Sequence, residues 1–200
     1  MPTRQPTVNE LQRVVTMREG IKVVVAYAFR VNVLGLNAIL LAKKFGEAAS
    51  GFGVISNELR LFGHELREQM LALNAGSVQL VSLATRQLKL GRQMLLMQQA
   101  SAAVQPSGAR MQAALQAQQA ESAGLQLGIS QTLADMRERV EAAHQACLFG
   151  VVIARSALIE AAHAGQTGQV LSNTSSEFAE HVNQVLPNLQ LLQQTLGRHA

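Results

Sequence analysis

The sequence has no tryptophan, one tyrosine, one cysteine and one aspartate, and aromatic residues make up only 4% of it. A lone cysteine, Cys147, excludes an internal disulfide framework and fits a reducing compartment. A lone aspartate, Asp135, with no strand–turn–helix elbow around any serine, leaves Ser/His/Asp nucleophilic catalysis without a motif. Charged residues are 15% of the chain, the net charge is +4 and no Lys/Arg cluster occurs, so nucleic acid is not an expected partner. The opening MPTRQPTVNE lacks the apolar core of a signal peptide. The most apolar run, residues 21–29, is too short to cross a bilayer, carries Lys22 and meets Arg30. The expectation is a soluble, cytoplasmic chain with no membrane span.

Cofactor and metal chemistry is not expected either. His144 and Cys147 share a helix face at i and i+3, but no second ligand pair accompanies them, so they read as a surface histidine and a buried thiol. The seven methionines read as packing residues, and His163 as a solvated histidine at a helix end. The sequence GEAASG is not followed by Lys-Ser/Thr, so it does not cradle phosphate. The chain is not expected to be an enzyme.

What is abundant is Ala, Leu, Gln, Arg and Glu, with 48% apolar residues and only short β-branched runs, which predicts an all-α protein. Thr7 or Asn9 caps a first helix. Its stripe runs Leu11, Val14, Arg18, Ile21, Val25, Ala28, Asn32, Gly35, Ile39, Ala42, Gly46. A second stripe runs Phe52, Ile55, Leu59, Phe62, Leu66, Leu73, Leu80, Leu83, Leu88, and Pro106-Ser107-Gly108 then breaks the helix. A third takes Met111, Leu115, Gln118, Ser122, Leu125, Ile129, Thr132, Met136, Val140, Ala143, Cys147, Gly150 and Ala154. The fourth takes Leu171, Ser175, Phe178, Val182, Val185, Leu189, Leu192 and Leu196, with Pro187 expected to kink or break it. Glycines 76, 91, 124, 128 and 150 mark either local breaks or close helix approach.

Turns near residues 48, 107 and 167 leave two inner helices of equal length, about 80 Å each at 1.5 Å per residue, flanked by two shorter ones. Antiparallel folding then gives one elongated four-helix coiled-coil bundle over residues 1–200. Its parts are hairpin 1 at 8–104, a linking turn at 105–109 and hairpin 2 at 110–197. The tips of the two hairpins also repeat. Residues 154–179, ARSALIEAAHAGQTGQVLSNTSSEFA, lie on residues 35–60, GLNAILLAKKFGEAASGFGVISNELR, without a gap at an offset of 119. Gly46 falls on Gly165, Ala38 on Ala157, Ala42 on Ala161 and Glu58 on Glu177.

Both segments resemble the hairpin tip of bacterial methyl-accepting chemotaxis receptors. The first carries Asn32, Leu34, Leu36, Asn37, Ala38, Ala42, Gly46, Glu47, Gly51, Phe52, Val54, Glu58 and Arg60 at matching positions. The second carries Ala154, Ala157, Ile159, Glu160, Ala161, Ala162, Ala164, Gly165, Gly168 and Glu177. Receptors of that family pair two hairpins from two chains. The resemblance therefore implies a pseudo-dimer in one chain, monomeric or oligomerising at its tip, and an interaction protein of a chemosensory array. Its implied partners are a chemotaxis histidine kinase, the coupling protein or other receptors. It places kinase or coupling-protein contacts at Glu47, Val54 and Glu58, and tip–tip contacts at Phe29, Asn37, Lys44 and Phe52. Their second-tip counterparts are Ser156, Glu160, His163 and Glu177. The two tips depart differently from the family: Leu41 replaces a glutamate and Lys44 an arginine in the first. In the second, Ser156 replaces an asparagine, His163 stands at the arginine position, and the Gly-Phe after the turn is missing. Two other readings stay open: a coiled-coil scaffold for a different partner, and a helical-bundle sensor of a small ligand or cofactor.

Overall fold

A computed structural model describes residues 8–46, 50–103, 108–163 and 168–197, with side chains for 15–46, 51–99, 112–163 and 168–197. Those residues form four helices and no strand: α1 (Val8–Phe45), α2 (Ser50–Ala103), α3 (Gly108–His163) and α4 (Gly168–Gly197). The inner helices have 54 and 56 residues, the outer ones 38 and 30. The protein is an all-α four-helix bundle. α1 stops at Phe45 because Gly46 takes a φ of 66°, a left-handed conformation that glycine adopts without strain. Glu47, Ala48 and Ala49, residues 105–107 of the linking turn and residues 164–167 lie outside the described residues.

The chain divides into two compact units. The first consists of residues 17–74 and 137 onward, and holds a core of all four helices. Gly35 of α1 lies against the Arg60 backbone of α2, and Gly63 of α2 against the Asn32 backbone nitrogen of α1. Gly20 meets Leu192, Tyr27 lies tilted against the His181 ring at 5.8 Å, and Gly150 receives the Phe62 ring. In every neighbouring pair the residue numbers fall on one helix as they rise on the other, so neighbours are antiparallel. Phe62 and Phe178, from diagonal helices, meet edge to face at 6.1 Å in the centre. The second unit consists of residues 75–136 with the start of α1. Its described side chains bury Ser77, Leu90, Leu125, Thr132 and Met136, and Gln87 donates to the Ser122 hydroxyl at 2.9 Å.

The burial pattern of the first unit repeats at the offset of 119. Ala28, Gly35, Ala38 and Ala42 are buried in α1 where Cys147, Ala154, Ala157 and Ala161 are buried in α3. Phe52, Ser56, Leu59, Leu66, Met70 and Leu73 in α2 answer to Leu171, Ser175, Phe178, Val185, Leu189 and Leu192 in α4. Ser56 and Ser175 even make the same bond, each hydroxyl donating to the carbonyl four residues earlier, at 2.7 and 2.9 Å. Size is exchanged between the copies: Val31 sits over Gly63 in one hairpin, while Gly150 and Val182 hold the equivalent positions in the other.

Several expectations need correction. The stripe of α1 is Met17, Gly20, Ile21, Val24, Ala28, Val31, Gly35, Ala38 and Ala42; Arg18 is exposed, and Val25, Asn32 and Ile39 are only half-buried. In α2, Ser56 rather than Ile55 is buried, and Leu88 is exposed. All eight expected stripe residues of α4 are buried. That helix runs unbroken through Pro187, which faces solvent, so water can serve the carbonyl deprived of its partner.

The expectation of no membrane span is also overturned. Two helical stretches, Val15–Phe45 and Gln112–His163, are long and apolar enough, by length and composition, to cross a bilayer. The run 21–29 understates α1, which is apolar on its outer as well as its inner side. Val23, Phe29, Val33, Leu36 and Leu40 are exposed, and only 28% of the helix's most apolar window is buried.

Cys147 is wholly buried in α3, and burial pushes its thiol from 9.0 up to about 12. Between those values the unfolded thiol ionises and the folded one keeps its proton, so rising pH favours unfolding by about 1.4 kcal/mol per unit from this group. The alkaline loss of stability should therefore be shallower in Cys147→Ala, measured by urea unfolding from pH 9 upward. Alanine is the residue at the equivalent position 28, so the variant should fold.

Candidate functional site

The end of the first unit where α1 meets α2 and α3 meets α4 carries nearly all the expected contact residues. Its interior is a closed cluster of Phe52, Leu171, Ala38, Ala42, Ala157 and Ala161, with Leu41, Phe45 and Ile55 packed on its edge. Phe52, expected at a tip–tip contact, is 1% exposed and belongs to this core. The alanines let the four helices approach closely, and the two large side chains fill the space that remains.

Leu41 and Glu160 hold equivalent positions, and the structure shows what each does. Leu41 lies on the Phe52 cluster. Glu160 reaches instead from α3 to Gly51, so that its carboxylate occupies the place where a Cβ would stand. α2 has no acidic residue in its first turn, and Gly51 is its second residue. Glu160 thus supplies negative charge to the N-terminus of a neighbouring helix, where unpaired amides and the helix dipole favour it. A Cβ at 51 would displace that carboxylate, the far end of a flexible side chain.

The remaining residues are on the surface. Phe29, Asn37 and Lys44 are exposed on α1. Val54 is 67% exposed on α2, with Glu58 exposed one turn beyond it and Leu61 exposed at the next, a single outer face. On the second tip Ser156, His163 and Glu177 are exposed. The Ser156 hydroxyl donates to the Val152 carbonyl at 3.2 Å, and His163 Nδ1 lies 2.8 Å from the Ile159 carbonyl, so both are engaged by their own helix. At the position equivalent to Val54 stands the exposed Asn173, whose amide accepts from Gln169. The apolar–acidic surface of hairpin 1 therefore has no copy on hairpin 2, a difference that comparing glutamates alone does not reveal.

A crevice of about 540 Å³ is lined by Arg137, Glu138, Glu141, Gln193 and Gly197. Arg137 Nε donates to the Leu196 carbonyl at 3.0 Å and closes the end of α4, while Gln193 donates to Glu141 at 2.6 Å. No group of three or more His, Cys, Asp or Glu side chains that could hold a metal ion occurs among the described residues. Comparison with protein-family models, curated proteins and solved structures finds no match to this chain.

Proposed function

We propose that this chain is a chemoreceptor-like signalling bundle of the cytoplasm, without enzymatic activity. It docks a chemotaxis histidine kinase or its coupling protein on the outer face of α2. The observation that carries this reading is the exposure of Val54 beside Glu58 and Leu61, on a helix whose opposite side is locked by Phe52, Ser56 and Leu59. An apolar residue flanked by a carboxylate on a rigid helix suits a protein partner better than water. The receptor-like residues of this tip indicate which partner, and the burial repeat at an offset of 119 supports a receptor dimer condensed into one chain.

The test is pull-down of the kinase and coupling protein by Val54→Arg and Glu58→Arg. Each should lower capture by about tenfold or more if the residue is a contact centre, with circular dichroism unchanged because both side chains are exposed. Glu177→Arg, on the face lacking an apolar neighbour, should leave capture intact. Capture indifferent to both α2 changes overturns the proposal and leaves the scaffold reading in its place.

A further inference from the structure

The outward apolar residues of α1 are not scattered. Ala26, Phe29, Val33, Leu36 and Leu40 recur at intervals of three and four, so they form one continuous stripe about 21 Å long. All five are exposed, Phe29 by 54% and Leu40 by 65%. The same spacing places Lys22 at one end of the stripe and Lys43 with Lys44 at the other. Arg30 flanks the stripe, its guanidinium 5.5 Å from the Tyr27 ring centre. Among the described residues of α1 no acid follows Glu19, which pairs with Lys22 at 2.8 Å. The other described acidic side chains of the first unit stand on α2, α3 and α4. Helix α1 thus presents an apolar strip with Lys22, paired to Glu19, at one end and Lys43 with Lys44 at the other.

We propose that this face of α1 binds an anionic phospholipid surface. Phenylalanine, valine and leucine enter the boundary between headgroups and acyl chains, and the long lysine side chains reach back to the phosphates. Charge decides the occupant. A second copy docked in parallel through the same face sets Lys43 and Lys44 against the same two cations. An anionic bilayer offers negative charge at both ends of the stripe and an apolar medium between them. The surface is distinct from the α2 face proposed for kinase and coupling protein, so either can fail without the other.

The experiment is flotation of the full-length protein with vesicles of phosphatidylglycerol and phosphatidylcholine in equal parts, and with phosphatidylcholine alone. The protein should float with the anionic vesicles and remain behind with the neutral ones. Lys43→Gln with Lys44→Gln should weaken partitioning by roughly thirtyfold, at about 1 kcal/mol for each cation near such a surface. Leu40→Asp should abolish flotation while circular dichroism and the melting temperature stay as in the parent. Equal binding to neutral vesicles, or flotation untouched by Leu40→Asp, overturns the proposal. So does the absence of flotation together with a concentration-dependent dimer that Leu40→Asp dissolves, which would give the face to self-association.

Discussion

Gly63→Leu is expected to destabilise the protein by about 3 kcal/mol or more, whereas Gly124→Ala is expected to stabilise it. The two glycines look alike in the sequence, each inside a long helix between ordinary helix formers. A Cβ at 63 would stand 2.9 Å from the Asn32 backbone nitrogen, 2.9 Å from Val31 Cγ1 and 3.2 Å from the Ala28 carbonyl oxygen. Two of these three are backbone atoms, which cannot rotate away, so α1 and α2 must separate and the layers around them must open. Leucine adds three carbons beyond that Cβ. A Cβ at 124 meets nothing within 4 Å. Alanine there gains helix propensity and costs no space, about 0.5–1 kcal/mol in its favour. Thermal unfolding should show a melting temperature lower by roughly 10 °C for Gly63→Leu and higher by about 2 °C for Gly124→Ala. An unchanged melting temperature in Gly63→Leu would mean that the two helices do not approach as closely as described.

The second large effect concerns Phe52. Resemblance to a receptor tip assigns it to contact between molecules, and the structure buries it among Ala38, Ala42, Ala157, Ala161 and Leu171. Phe52→Ala should therefore cost about 3–5 kcal/mol, read as a fall in the urea midpoint with little change of slope. The four alanines have no rotamers with which to fill the space, which leaves any collapse to Leu171, Leu41, Phe45 and Ile55. A residue serving only an intermolecular contact would leave the urea midpoint where it was and lower association alone. Phe29→Ala, at an exposed site on α1, is the matched control: its stability should hold.

The stripe of α4 is legible in the sequence because its apolar residues alternate with Asn, Gln, Glu and Ser, leaving one phase possible. α3 is nearly as clear from Met136 to Ala154. α1 is not. Val23, Val24 and Val25 stand side by side, as do Val31 and Val33 around Asn32, so a heptad fits in more than one phase. The outward apolar stripe that hides the true phase is also what makes the helix long and apolar enough to cross a bilayer. The sites divide in the same way. Val54 and Glu58 are surface residues at the spacing the sequence suggests, and Glu160 is noticeable as the glutamate that its counterpart Leu41 lacks. That Glu160 lies over Gly51, and that Asn173 replaces Val54 on the other tip, required the helices to be in place.

The sequence by itself determined that the chain is helical, where the glycine and proline breaks divide it, and that its two tips repeat at an offset of 119. These follow from local propensity, periodicity and the backbone demands of turns, which act within a few residues. Only the tertiary structure decided which face of α1 is buried, which glycines are contacts, and that Phe52 points inward. Hydrophobic burial is non-directional: it requires that apolar surface be covered and leaves the choice of face to the shapes that meet. Where one helix is apolar on every side, that choice belongs to its neighbours.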